Sequence, residues 1–280
     1  MGDQGQFDRI AIRTSRLTTR TYSTSFTLGI RCLDREFRDP IYSIYGFVRF
    51  ADEIVDTFED CDKAGLLKKF ADDTWHAIDN GISLNPILHS FQKTVAAYAI
   101  DRPLIEQFMA SMEMDLSEKN YDQSGFEKYV LGSAEVVGLM CLKVFTRGNG
   151  GEFTRLKPQA MKLGSAFQKI NFLRDLHADY RLLGRSYFPG VQIERFDEQS
   201  KQQIESGILA DFQEGFKGIK QLPRGARLGV YVAYLYYMTL FRKIRRLPST
   251  EVLKSRVRVR NRQKLIILGY SFLKHQFNLI

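Results

Sequence analysis

YGFVRFADEIVD, Tyr45–Asp56, decides the fold, and QKINFLRDLHAD, Gln168–Asp179, repeats its logic. In the first stretch Phe47, Val48, Ala51, Ile54, Val55 and, just beyond it, Phe58 form an apolar set. Tyr45, Arg49, Asp52 and Asp56 recur at steps of four, three and four, the spacing of one helix face, with Glu53 beside them. In the second, Gln168, Asn171, Asp175 and Asp179 fall at steps of three, four and four, while Ile170, Phe172, Leu173 and Leu176 take other faces. Helices apolar over so much of their circumference are predicted to be largely buried, where carboxylates are costly unless a cation compensates them. An acidic residue every turn also marks the solvated side of an ordinary amphipathic helix; the apolar company of these carboxylates argues against that reading. Magnesium prefers one or two carboxylates plus waters and substrate phosphates. Two such helices face to face therefore predict a magnesium-lined cavity for a phosphorylated or diphosphorylated substrate, with Gln168 and Asn171 adding neutral amides.

The rest of the chain reads as helical. With 44% hydrophobic residues over 280 positions there is ample material for a large core, and clean alternating strands are absent. Asp39-Pro40, Asn85-Pro86 and Asp101 before Pro103 resemble helix starts, and Gly81 and Gly184 stand where C-cap glycines would. Val257–Val259, where arginines alternate with valines, reads as a turn or an irregular helix start. No linker or repeat appears, so residues 1–280 are predicted to form one domain, with 1–20 as an N-terminal arm too short for a removable leader. Cys32, Cys61 and Cys141 lack CxxC pairing and suit free thiols in a cytoplasmic, reducing setting. No secretory core or run of 18 apolar residues is present.

These blocks together resemble the squalene/phytoene synthase family. The likeness runs in order through TYSTSF (Thr21–Phe26), YGFVRFADEIVD, MEMDL (Met112–Leu116), YVLGSAEVVGLM (Tyr129–Met140), AFQKINFLRD, GRSYFP (Gly184–Pro189) and SRVRVRNRQK (Ser255–Lys264), and GSAEVVGLMCLKVF resembles the bacterial phytoene synthases. The resemblance implies an all-α, single-domain isoprenoid-synthase-like bundle around a central cavity. It implies that Asp52, Asp56, Asp175 and Asp179, with Asn171, hold Mg2+ (Mn2+ as a substitute). Ser23, Ser25, Arg49, Gln168, Asn171, Arg174, Arg256 and Lys264 would take the diphosphates, and Tyr45, Tyr129 and Tyr237, with Arg49, would act at the reacting carbons. The implied reaction is head-to-head joining of two geranylgeranyl diphosphates through a cyclopropyl diphosphate to phytoene, in carotenoid biosynthesis, without NADPH. The near rival is a C30 squalene or dehydrosqualene synthase using farnesyl diphosphate. Two departures stand out: Ala134-Glu135 replaces the Ala-Gly of many relatives, with Glu135 read as pointing outward, and Thr24 stands where some relatives carry lysine.

The net charge of +9 has an address. Between Phe241 and Lys264 ten basic residues face only Glu251, so the remainder of the chain is neutral overall. Alone, such a cluster fits a solvated face, an RNA-binding patch or an anionic membrane contact. No RNA-binding module accompanies it, and the carboxylate faces would repel a phosphate backbone, so no nucleic-acid partner is expected. With Arg256 and Lys264 assigned to diphosphate, Arg242–Arg246 are left as surface charges for reversible, peripheral membrane contact. A non-catalytic assembly protein is a further alternative, disfavoured because both aspartate motifs are present. Oligomeric state is left open.

Overall fold

Helix α3, Arg35–Asp56, and helix α9, Gly150–Leu183, carry the two acidic stretches and flank the centre of the molecule. In this computed structural model the described residues are 4–58, 60–118, 120–183, 187–191, 196–254, 256–277 and 280, and the side chains of 177–183 fall outside the description. The other helices are α1 (Gln4–Tyr22), α2 (Thr24–Arg31), α4 (Lys63–Asn80), α5 (Pro86–Tyr98), α6 (Arg102–Ser117), α7 (Gln123–Val130), α8 (Val136–Phe145), α10 (Glu198–Gln221), α11 (Arg224–Arg245), α12 (Ser249–Val252) and α13 (Asn261–Gln276). No strand element occurs among the described residues. The expected all-α architecture is the observed one.

The apolar stripe of α3 does what its spacing predicts. Phe47 is fully buried and stacks on Phe91 of α5 at 3.9 Å between ring centroids, inside a first core built by α3, α4, α5, α6, α8 and the start of α9. Offset or stacked aromatic pairs of this kind add to ordinary area burial. A second core gathers Ile170, Leu173 and Leu176 of α9 with Phe212 of α10 and Phe241 of α11. Phe58 departs from expectation: α3 ends at Asp56, so this ring lies beyond the helix and is exposed.

Helix punctuation is partly as read. Asn85 caps α5, its side chain accepting from the Ile87 and Leu88 amides, and Gly81 ends α4 in the left-handed conformation. Asp101 stands at the start of α6, but its carboxylate pairs with Lys143 at 2.9 Å instead of capping. Asp39-Pro40 is not a helix start. The chain enters α3 at Arg35, held by the Asp34 amide donating to Gly225 O at 2.8 Å, and Pro40 sits inside the helix. Its fixed φ suits a helix and it removes one ladder bond near the unpaired first turn. Asp39 is bound sideways, accepting from Arg16 of α1 at 2.6–2.9 Å. Residues 4–22, expected as an arm, form α1 packed on α3 and α5, with Ala11, Ser15 and Thr19 buried. Gly184 lies outside the described residues.

Two close approaches shape the interior. A Cβ at Gly229 of α11 would lie 2.6 Å from the Gly29 carbonyl of α2, so only glycine lets these helices meet. Between α7 and α8 the segment Leu131–Glu135 winds as a π-helical turn, and a Cβ at Gly164 of α9 would lie 2.7 Å from the Ala134 carbonyl within it. Single π turns inserted between α-helical segments are frequent at functional sites. This one turns Ser133 and Ala134 toward a central cavity.

Candidate active site

The cavity, about 630 Å³, is bounded by α2, α3, α6, α8, α9, α10 and α11. Along α9 its lining runs from Leu156 to Asp175, which at 1.5 Å per residue spans about 28 Å. One end is polar: Tyr22, Arg49, Asp52, Asp56, Asp175 and Arg256. The other is apolar, closed by Leu33, Ile41, Phe145, Leu156 and Leu222.

At the polar end the two acidic stretches meet as their spacing predicts. Arg49 reaches one turn along α3 to pair with both Asp52 and Glu53, while its guanidinium lies 4.2 Å over the Tyr22 ring. Its Nε is buried with no hydrogen-bond partner among the described residues. Across the mouth Asp175 accepts from Arg174 Nε at 2.9 Å and from Arg256 Nη2 at 3.2 Å, with Arg256 Nε in ion-pair contact at 2.7 Å. The Arg256 fork is the bidentate geometry that suits carboxylate and phosphate alike. Pairing with Asp175 raises the Arg174 pKa in spite of burial, which acts the other way. Ser23, Ser25, Gln168 and Asn171 also line the cavity, Ser23 serving in addition as the α2 cap by accepting from the Phe26 amide at 3.1 Å. Asp179 lies outside the described side chains.

Behind the mouth stand the three tyrosines. Burial pushes the Tyr45 and Tyr237 phenols up to about 12 and the Tyr129 phenol well above its usual range, so all three stay neutral and protonated at physiological pH. Tyr237 donates to Asn171 Oδ1 at 3.3 Å and stacks on Phe167 at 4.1 Å. Tyr129 donates to Asp115 Oδ2 at 2.7 Å, and Tyr187 donates to the other oxygen at 3.4 Å. Tyr187 stacks in turn on Phe172 at 4.0 Å. Asp115 and Tyr187 were not among the sequence candidates, although MEMDL and GRSYFP contain them; Glu106 and Glu113 repeat on one face of α6 and Asp115 falls on the opposite one, so it joins no periodic stripe.

Two residues singled out in the sequence stand outside the cavity lining. Lys264 does not line the cavity; its ammonium donates to Thr24 Oγ1 at 2.6 Å and lies 5.5 Å over the Tyr236 ring. Glu135, read as pointing outward, is likewise absent from the lining; it is half-buried, and burial raises its pKa. Lys162 and Lys169 lower it from nearby and also bind the buried Asp211, at 3.2 and 2.7 Å.

The donor set fits a hard divalent cation. Asp52, Asp56 and Asp175 offer only oxygen ligands at one cavity mouth. No three acidic, histidine or cysteine side chains converge on one point among the described residues. A cation held here would rest on few carboxylates and complete its shell with water or phosphate, as magnesium prefers. The partnerless Arg49 Nε points to an anionic ligand in the same place.

Comparison with known proteins agrees with this geometry. Residues 19–263 match the profile of the family described as squalene/phytoene synthase. The chain is 27% identical to the 15-cis-phytoene synthase of Synechococcus elongatus, covering 92% of this chain and 91% of that one. It is 26% identical to the chloroplastic phytoene synthase 1 of Solanum lycopersicum, of whose length it spans 65%. A presqualene diphosphate synthase of Rhodopseudomonas palustris is 28% identical over 59% of this chain and 58% of its own. Among solved structures, a dehydrosqualene synthase in complex with ligand superposes with a TM-score of 0.81 at 19% identity, covering 97% of this chain and 99% of that one. The chain belongs to the squalene/phytoene synthase family and has its all-α isoprenoid synthase fold. Members of this family are prenyltransferases that act on polyprenyl diphosphates.

Proposed function

We propose that this family member joins two geranylgeranyl diphosphates head to head, through a cyclopropyl diphosphate, to phytoene in carotenoid biosynthesis. The observation that carries the reading is one cavity, about 28 Å long from end to end, whose ion-rich mouth opens into an apolar interior. Asp52, Asp56, Asp175 and Asp179 would hold magnesium, which when bound supplies Lewis-acid stabilisation of the departing diphosphate. Arg49, Arg174 and Arg256 bind and orient the diphosphate oxygens, with guanidinium forks fixing direction as well as charge. Fixed cations of this kind stabilise negative charge as it develops on the leaving group.

The tunnel handles the hydrocarbon. The cation left when the first diphosphate departs is attacked by the double bond of the second substrate, and loss of a proton closes the cyclopropane; departure of the second diphosphate, rearrangement and loss of a second proton give the conjugated triene. Neutral phenols at Tyr45, Tyr129 and Tyr237 offer aromatic faces to the cation without a phenolate that would trap it. Asp115 holds Tyr129 from behind as a positioning residue.

A second reading, two farnesyl diphosphates giving a C30 product, is favoured by the relatives named for presqualene diphosphate and dehydrosqualene. Pure protein incubated with magnesium and each allylic diphosphate separately tests the pair. The expected product is a C40 hydrocarbon with triene absorption, unchanged in rate and identity by NADPH. Efficient C30 formation only from farnesyl diphosphate, or a reduced product appearing only with NADPH, would overturn it.

A further inference from the structure

Helix α13 is apolar on its outer side as well as its inner one. Its inner positions, packed along α11, include Lys264, Ile267, Leu268, the fully buried Ser271 and His275, whereas Leu265, Ile266, Tyr270, Phe272, Leu273 and, one residue past the helix end, Phe277 point away from the protein and are each 49–70% exposed. At 100° per residue these six side chains share an arc of about 160°, broken only by the small Gly269 and the polar ends Arg262 and Gln276. A helix at a protein surface normally turns a polar arc to water, and an exposed apolar patch rimmed by charge marks an interaction site.

The charge around it names the partner. Exposed Arg258, Arg260 and Arg262 lead into the helix, and exposed Arg242, Arg245 and Arg246 end α11 beside them, the two groups tied by Lys243 donating to Arg258 O at 3.1 Å. Glu251 is the single acidic residue between positions 241 and 264. A second copy of this chain docking on α13 would bring the same positive rim against its own, and like charges at close quarters oppose association. An anionic bilayer instead matches both features, taking the apolar arc at the level of its headgroups and the arginines against lipid phosphates. We propose that α13 is an in-plane membrane-docking helix for anionic lipid surfaces. The segment leading into α13 reaches the cavity mouth through Arg256 on Asp175, so docking would set the mouth beside the lipid. The inference rests on surface chemistry and not on which substrate the cavity takes.

Flotation of the full chain with vesicles of phosphatidylcholine, with and without phosphatidylglycerol, tests it. The wild-type chain is expected to float with the anionic vesicles and to be released by salt. Ile266→Ser/Leu273→Ser/Phe277→Ser should weaken binding about tenfold or more, with helical content, melting temperature and turnover on detergent-dispersed substrate unchanged. Arg258→Gln/Arg260→Gln/Arg262→Gln should weaken it in low salt and flatten the salt dependence. Phe277→Ser alone, at an exposed helix end, serves if the triple change harms folding. Absence of flotation at low ionic strength, equal binding by the apolar variants, or equal binding to neutral vesicles would overturn the proposal. So would a wild-type dimer in light scattering that the apolar variants turn to monomer.

Discussion

Arg49 meets Asp52, Glu53 and the face of Tyr22 at once, and still keeps one buried N–H without a partner. A guanidinium so placed compensates the carboxylates, and under the proposed function a metal and a diphosphate would divide the two charges between them. Asp52→Asn and Asp175→Asn should each lower turnover by roughly two orders of magnitude with circular dichroism unchanged, because asparagine keeps the shape and removes the charge that draws the cation. Near-normal rates in both would remove these residues from the metal site. Arg256, in bidentate contact with Asp175, should matter far more than Arg246, although each substitution by alanine deletes one positive charge. Lys264→Ala is expected between them, since its ammonium sits on Thr24 outside the cavity lining. Steady-state kinetics at two ionic strengths separates local contact from diffuse field; equal, salt-sensitive losses in all three would favour the field. At this scale the sequence was legible where helical period made a stripe, as for Arg49, Asp52, Gln168 and Asp175. It was silent on Asp115, whose role depends on Tyr129 and Tyr187 arriving from elsewhere in the chain.

Elements hold one another through a few defined contacts. Helix α1 is fastened to α5 by Asp8, which takes His89 Nε2 at 2.8 Å and Lys93. Hydrogen bonds from Lys93 first, then His89, hold the Asp8 carboxyl below the usual carboxylate range. A carboxylate lowered in the folded state contributes stability that is present above its unfolded pKa of about 3.9 and is lost as pH falls through the lower folded value. Asp8→Asn should therefore melt earlier than wild type at neutral pH, and the two melting curves should converge in strong acid. A gap that persists there would assign the effect to packing instead of charge. At the π turn, Gly164→Ala would set a methyl 2.7 Å from the Ala134 carbonyl, an overpacking cost of about 1–3 kcal/mol in chemical denaturation. Wild-type stability in that variant would mean that the turn yields easily. Helix existence was readable from period at α3 and α9 and from the Asn85 cap at α5. The π turn was not, because Leu131–Glu135 has the same residue types as an ordinary helical turn, and its winding is set by the approach of α9. Pro40 misled for a related reason: proline marks helix starts by preference, and the actual start was fixed by a backbone bond from Asp34 to Gly225, far along the chain.

Over the whole molecule, the cavity lies where helices from both cores leave room between them, and its length is a property of no single segment. The all-helical class and the meeting of two acidic helices could be anticipated from α3 and α9 alone. Cavity depth could not, since Leu33, Phe145, Leu156 and Leu222 close the apolar end from four separate parts of the chain. That depth is where the choice between C20 and C15 substrates has its physical basis. Ala160 lines the tunnel one helical turn inside Leu156, about 22 Å along α9 from Asp175. A phenyl ring there would fill the far end while leaving the mouth, its arginines and its tyrosines in place. If the tunnel holds geranylgeranyl tails, Ala160→Phe should reduce kcat/KM for geranylgeranyl diphosphate by about tenfold or more. The value for farnesyl diphosphate, whose tail is one isoprene unit shorter, should be spared or raised. Product chromatography after competition between the two substrates reads the ratio directly, and a melting curve guards against general damage. No loss on either substrate in a well-folded variant would mean that the tail does not reach Ala160, and the C15 reading would then account better for the cavity; equal losses on both would mean that this position does not separate the two chain lengths.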